Sequence, residues 1–262
     1  MPELAEVEFM TRRLHDWLAD APLQLELLDP KLDPQGTLRS LPTLVVRRAF
    51  RRAKYAILEG ENDALVLHFR MTGKVLRGTE LPKYTRARFV GERETVNFID
   101  MRRFGTIERV PTAELEDFFE QKKLGAEVWP EARDGAWWQA QFEGIRSPVK
   151  AALLRQDRVT GLGNILASEV LFHARVAPDR STADVTVEEW DALAKALHQT
   201  VKTILATGAG DEIAYINEGA SPEESGFFVY QRDGKPAACC GGLIERRVDA
   251  GRATFWCPTC QR

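Results

Sequence analysis

The chain has 262 residues, 44% of them hydrophobic, and a formal net charge of −3. That length supports one large domain or two modest ones with real cores. There is no run of about 18 apolar residues and no basic-then-apolar leader, so the sequence predicts a soluble, cytoplasmic protein with no membrane partner.

The charge is unevenly spread. Residues 39–109 hold sixteen Lys and Arg against eight Asp and Glu, and residues 232–262 hold six against three. Both remaining parts are net acidic. Two basic blocks are what a phosphate footprint requires, although solvated surface gives the same count.

In chain order, the spacing of Leu4, Val7, Leu14, Trp17 and Leu18 predicts a helix over residues 3–19. From about 23 to 110, short runs such as TLVVRRAFRRAKYAILEG, ALVLHFRMTGKV and TVNFIDMRRFGTIERV predict strands separated by Gly and Asn-Asp breaks. From 112 the pattern turns helical. Thr112 reads as the N-cap of AELEDFFEQ, and Ser147-Pro148 opens a second helix. GLGNILASEVLFHARV predicts another, and TVEEWDALAKALHQTVKTILATG a long amphipathic one stopping at Gly208. Residues 209–226 read as a polar loop, and 227–262 as a small β-type cysteine unit. This gives three parts, 1–111, 112–226 and 227–262, without internal repeats.

Three motifs carry chemistry. In TGLGNILASE, two glycines precede Asn164, whose side chain is placed to cap the helix or to contact a phosphate. All four cysteines, Cys239, Cys240, Cys257 and Cys260, lie in the last 24 residues and include a C-x-x-C pair. Such a cluster reads as a zinc site or as buried thiols, rather than as a disulfide scaffold. HFRMTG and DMRRFG look like strand ends with apolar and basic tips, suited to wedging into a base stack or simply to packing.

Taken together with PELAEVE at the start, RRAKY at 51–55 and GRATFWCPTC at the end, these motifs occur in one order from residue 2 to 261. In that order the sequence resembles the formamidopyrimidine-DNA glycosylase family, bacterial enzymes that excise oxidised purines. The resemblance implies an α+β fold: an N-terminal helix with a β-sandwich domain, then a helix-two-turn-helix domain with a zinc-finger-like β-hairpin. It implies that Met1 is removed and that the Pro2 amine is the nucleophile, an α-amino group that titrates near neutrality. Glu3 then matches the general acid and Glu6 a second glutamate near the site. Lys54 matches a lysine that contacts phosphate and assists elimination, and Arg252 an arginine that grips the phosphates flanking the lesion. Met71, Arg102 and Phe104 match the residues that fill the gap left by a flipped nucleotide, and Lys150 and Asn164 match backbone contacts. The implied partner is damaged double-stranded DNA, bound by a monomer in a salt-sensitive way.

The sequence departs from the family pattern in several places. Ala5 and Met101 replace prolines, and Tyr84 and Arg86 stand where the family often has His-x-His as possible DNA contacts. The family has C-x-x-C at both ends of its zinc hairpin, whereas here the first cysteine falls on Ala237 and an extra one appears at Cys239. One structural zinc ion is expected, held with Cys239 recruited by a reshaped turn or with water in the fourth position; absence of zinc is the third arrangement. The expected activity is bifunctional glycosylase and abasic-site lyase on oxidised purines. The alternatives are oxidised-pyrimidine excision of the endonuclease VIII type, a non-catalytic damaged-DNA binder, and a zinc-ribbon regulator.

Overall fold

The structure is a computed structural model and describes residues 1–207, 226–249 and 251–262. Two compact units form, one over residues 1–123 and one over the described residues from 124 onward. The loop expected at 209–226 and the helix stop at Gly208 lie, residue 226 apart, outside the described residues.

The first unit opens with α1 (Leu4–Leu18), close to the expected span. Its N-terminus is closed by a capping box in which Glu3 and Glu6 each turn a side chain to the other's backbone N–H. Leu4, Val7, Leu14 and Leu18 are fully buried. The helix packs on β3 (Arg48–Arg52) and β4 (Tyr55–Glu59).

These two strands continue through β5 (Asp63–His68) to β9 (Thr106–Pro111) in a four-stranded antiparallel sheet, order β3-β4-β5-β9. A five-stranded sheet has the order β2-β1-β7-β8-β6. Its members are β1 (Pro22–Leu27), β2 (Leu44–Val45), β6 (Lys74–Arg77), β7 (Thr85–Gly91) and β8 (Thr95–Ile99). β8 is buried along its whole length, and β4 and β5 through their centres, because both faces of these strands are covered.

Thr112 is not the cap of the next helix. Its hydroxyl donates to the Gly60 carbonyl at 3.1 Å, and residues 112–114 make a 3₁₀ turn. α2 (Leu115–Gln121) begins after it. Leu115 joins Ile57, Val66 and Val110 in one apolar cluster, with Phe118 and Phe119 packed against it. The change to a helical pattern at 112 therefore marks secondary structure, while packing carries the first unit on to 123.

The second unit contains α3 (Gly135–Gln141), α4 (Val149–Leu153), α5 (Asn164–His173) and α6 (Val187–Thr207). The sequence reading has no counterpart for α3, which Asp134 caps by accepting from the Trp137 N–H at 2.8 Å. Trp138 and Phe142 stack on Trp190 of α6 at 6.2 and 5.0 Å between ring centroids. The turn between α4 and α5 is tied by Gln156, which donates to the Leu154 and Leu162 carbonyls and accepts from the Gly161 N–H. Gly161 sits at φ +92°, where a side chain would be strained. A two-stranded hairpin, β10 (Glu245–Asp249) and β11 (Arg252–Trp256), ends the chain. Its Phe255 packs with Phe172 of α5.

Candidate active site and nucleic-acid interface

Pro2 is buried at the head of α1, directly before the Glu3–Glu6 capping box. The Glu3 N–H donates to Glu6 Oε2 at 3.1 Å. Both carboxyls are buried. Burial first, and then the neighbouring Glu3 charge, raises the Glu6 carboxyl to about 7. A carboxyl that titrates near neutrality next to residue 2 is suited to holding and releasing a proton there.

Lys54 is buried in the turn between β3 and β4, where Ala53 takes φ +54°. Arg51 organises this turn. Its Nε donates to Glu8 of α1 at 3.0 Å and its Nη1 to the Ala53 carbonyl at 2.8 Å. Glu8 also accepts from Arg12 at 2.9 Å. The helix that begins at Glu3 and the turn that presents Lys54 are thus pinned together. His68 lies opposite Tyr55 in the β4–β5 register. Burial, then the charges of Arg70, Lys54 and Lys122, lowers it to about 3, so its ring is neutral at ordinary pH. Its Nδ1 accepts from the Arg70 N–H at 3.0 Å.

Met71, Arg102 and Phe104 stand on two loops that a single carboxylate joins. Asp100 is 1% exposed. It accepts from the Arg102, Phe104 and Gly105 N–H groups at 3.1, 2.7 and 2.7 Å and from the Thr72 hydroxyl. The Arg102 N–H also reaches Thr72 Oγ1 at 3.2 Å. With their backbones tied inward, the tips point out: Met71 is 42% and Phe104 52% exposed, and the Arg102 guanidinium lies 4.8 Å over the Phe104 ring. Met101 is exposed beside them. Tyr84 is exposed at φ +70°, and its carbonyl accepts from the Asp100 N–H at 3.1 Å. Arg86 turns inward and donates to the Asp100 carbonyl at 2.8 Å.

In the second unit, Asn164 does not cap α5, because Gly163 occupies the cap position. Asn164 Oδ1 accepts from Lys150 Nζ at 2.6 Å, and its Nδ2 donates to the Ala253 carbonyl at 2.8 Å. Lys150, 4% exposed, also donates to Thr254 Oγ1 at 3.0 Å and to the Ala253 carbonyl at 3.3 Å. Both residues therefore sit beneath the hairpin and fix the strand that carries the exposed Arg252.

The cysteines converge. Cys239 Sγ is 2.9 Å from Cys260 Sγ, and Cys240 Sγ is 3.4 Å from Cys257 Sγ. The sulfurs of Cys239, Cys240 and Cys260 all lie within 4.8 Å of one another. Thiolates around a tetrahedral zinc stand about 3.8 Å apart, a spacing these three sulfurs bracket, and Cys257 adjoins them through Cys240. Ala237 is buried with Ile244, Phe255 and Cys257 in an apolar cluster. Its carbonyl accepts from the Gly241 N–H at 2.8 Å, and Gly241 at φ +70° makes the turn. Three converging thiols, with Cys257 beside Cys240, suit a zinc ion.

Comparison with known proteins agrees with this geometry. Residues 1–107 match the formamidopyrimidine-DNA glycosylase N-terminal domain, and residues 124–214 the H2TH domain of the same family. Residues 240–262 match the zinc finger found in FPG and IleRS. The formamidopyrimidine-DNA glycosylase of Streptococcus pneumoniae is 34% identical over 277 residues, spanning all of this chain and 99% of its own. That of Bordetella pertussis is 33% identical over 279 residues, spanning all of both. The chain belongs to the formamidopyrimidine-DNA glycosylase family. It is an enzyme of this family, with the family's mixed helix-and-sheet fold. Lactococcus lactis Fpg, solved in complex with abasic-site DNA, superposes with a TM-score of 0.86 at 27% identity over 99% of each chain. The same protein, solved with DNA containing an oxidised pyrimidine, gives 0.87 at 27% over the whole of both. No helix among the described residues is long and apolar enough to cross a membrane.

Within this glycosylase frame, three supports escaped the sequence reading. Asp100 opens DMRRFG, and its acceptor role follows from a carboxylate preceding a run of turn N–H groups. Glu8 and Arg51 are 43 residues apart and carry no local signal. Glu169 of α5 is buried and accepts from the N–H groups of Phe228, Val229 and Tyr230 at 2.8, 3.0 and 2.8 Å. Burial raises its carboxyl against those three bonds.

Proposed function

We propose that this glycosylase is bifunctional, excising oxidised purines from duplex DNA and then cleaving the abasic strand through Pro2. The observation that carries this is the buried pair of carboxyls at residue 2, one of them raised to about 7. Removal of Met1 leaves Pro2 as a secondary amine. Its nitrogen attacks C1′ of the damaged nucleotide, and the glycosidic bond breaks with its electron pair leaving on the base. Glu3 protonates the sugar ring oxygen as the ring opens, and Glu6 shares the proton load beside it. The attacking nitrogen gives up its proton before the ring opens, its lone pair forms the C1′ iminium as the C1′–O4′ bond breaks, and that iminium becomes an electron sink. Loss of a C2′ proton then breaks the bond to the 3′ phosphate, and a second elimination breaks the bond to the 5′ phosphate. Lys54 holds a phosphate through the elimination, and Arg252 grips the phosphates beside the lesion. Met71, Arg102 and Phe104 occupy the space left by the extruded nucleotide, with Tyr84 at the edge of that surface. Lys150 and Asn164 serve the backbone grip by fixing the strand directly after Arg252, at Ala253 and Thr254. Cys239, Cys240, Cys257 and Cys260 would hold one zinc ion, which when bound stabilises the hairpin and takes no part in bond breaking.

Borohydride trapping tests this reading. Untagged protein is mixed with a duplex carrying 8-oxoguanine opposite cytosine, reduced, and run on a denaturing gel. A covalent complex that disappears in Pro2→Gly with Met1 retained is the expected result. The Lactococcus protein solved with an oxidised pyrimidine motivates a second duplex. Trapping on that duplex alone would move the substrate to pyrimidines. No complex on either, or on a plain abasic site, would leave a binding-only protein.

A further inference from the structure

Asp29, 4% exposed, follows β1 and touches none of the groups assigned to the reaction. Its carboxylate receives Arg103 through two parallel bonds, Nε at 2.6 Å and Nη2 at 2.5 Å. Arg86 Nε lies 3.8 Å away, and the Lys31 N–H donates at 3.0 Å. The bidentate bonds to Arg103 hold the Asp29 carboxyl below the usual carboxylate range, so it is charged wherever the protein is folded at ordinary pH.

Arg86 reaches this place through a bulge. Thr85 pairs with Ile99 and Ala87 with Phe98, so Arg86 is one residue more than the facing strand needs. A bulge re-aims the side chain it carries. The Arg86 carbonyl accepts from both the Leu28 and Asp29 N–H groups at 2.9 Å, and its Nε donates to the Asp100 carbonyl at 2.8 Å. Asp29 and Arg86 together form a bracket with two arms. One arm ends at Asp100, where the loop begins. The other ends at Arg103, between the two outward tips Arg102 and Phe104.

The loop needs a bracket. Met101 gives its backbone none of the restraint that a proline gives. Arg103 sits at φ +57°, a region that a bulky residue occupies only when its surroundings hold it there. Asp100 ties the loop from inside, and the Arg103–Asp29 pair ties it from outside.

We propose that Asp29 is a positioning residue which, through Arg103 and Arg86, holds Arg102 and Phe104 at the spacing required to enter the gap left by an extruded nucleotide. The proposal rests on the glycosylase reading above. Asp29→Asn is the sharp variant, because asparagine keeps the acceptor for Lys31 and loses the charge that draws Arg103. Two measurements on the full-length protein decide the matter. Hydrogen exchange without DNA is expected to be about 10-fold faster over residues 100–105 in D29N and unchanged over residues 63–68. Single-turnover excision of 8-oxoguanine is expected to fall about 10-fold, while cleavage of an abasic site facing a one-nucleotide gap, where no base has to be displaced, stays within about two-fold. Equal loss of both activities would mean general damage and overturn the proposal. So would normal exchange over 100–105, or a loosened loop with excision intact. A wild-type protein that excises no base would sink the activity reading instead, and the exchange result would still decide whether Asp29 holds the loop.

Discussion

The loop at 100–105 and the hairpin β10–β11 both offer cationic tips, yet opposite charges hold them. Beneath Arg102 and Phe104 lie the buried carboxylates Asp100 and Asp29. Beneath Arg252 lie the buried Lys150 amine and Asn164. The difference follows from what each backbone leaves over. A tight turn exposes N–H groups, three of which Asp100 collects. The β11 edge leaves the Ala253 carbonyl, which Lys150 and Asn164 both reach. Support also differs in scale. The loop grows from a framework of two sheets, whereas the hairpin is a two-stranded ribbon, a form that is marginal by itself.

The largest contrast should come from the thiols. Cys257→Ser, or chelation of bound zinc, is expected to raise hydrogen exchange over 245–256 by about 100-fold and to weaken duplex binding as strongly, with residues 100–105 unaffected. Exchange rising in both regions would mean that they are not separately supported. Next, Asp100→Ala removes the acceptor of three N–H groups and should cost about 2–4 kcal/mol in urea unfolding. A cost near zero would show that the turn holds its shape without the carboxylate.

A smaller effect separates the cations of the hairpin. Arg252→Ala should flatten the salt dependence of duplex binding by about one phosphate contact, while Lys150→Met should weaken binding by about 1–3 kcal/mol with the slope unchanged. A changed slope in the lysine variant would place its amine on a phosphate.

The smallest effect is a pH dependence with two signs. Between 4.5 and about 7 the folded state keeps a Glu6 proton that the unfolded chain releases, so this contribution to stability falls as pH rises. Between about 3 and 6.5 the unfolded chain takes up a His68 proton that the folded state refuses, so that contribution falls as pH falls. The two windows overlap and partly cancel. Relative to the wild type, Glu6→Gln should lessen the decline toward pH 7, and His68→Asn should lessen the decline toward acid, both read by urea unfolding across that range. Identical profiles in the two variants would refute the assignment.

Much of this was legible in the sequence. The span of α1 followed from Leu4, Val7, Leu14 and Leu18, and the order of motifs implied the family that the comparisons confirm. What stayed hidden was long-range or turned on a competing bond. Asn164 is a good cap residue by type, but Lys150 and Ala253 claim its side chain. Thr112 looked like a cap, and Gly60 took its hydroxyl. Arg86 read as an outward contact because nothing local shows that its strand has one residue too many.

That surplus residue has a consequence for change by insertion and deletion. Losing Arg86 would let Thr85 and Ala87 close into an unbroken ladder with β8. The loop at 100–105 would lose its inner arm at the same stroke. The ladder gained would be offset by the bonds that Arg86 makes to Leu28, Asp29 and Asp100, which is what keeps the irregularity in place. Here the local optimum of the scaffold and the optimum of the molecule point in different directions.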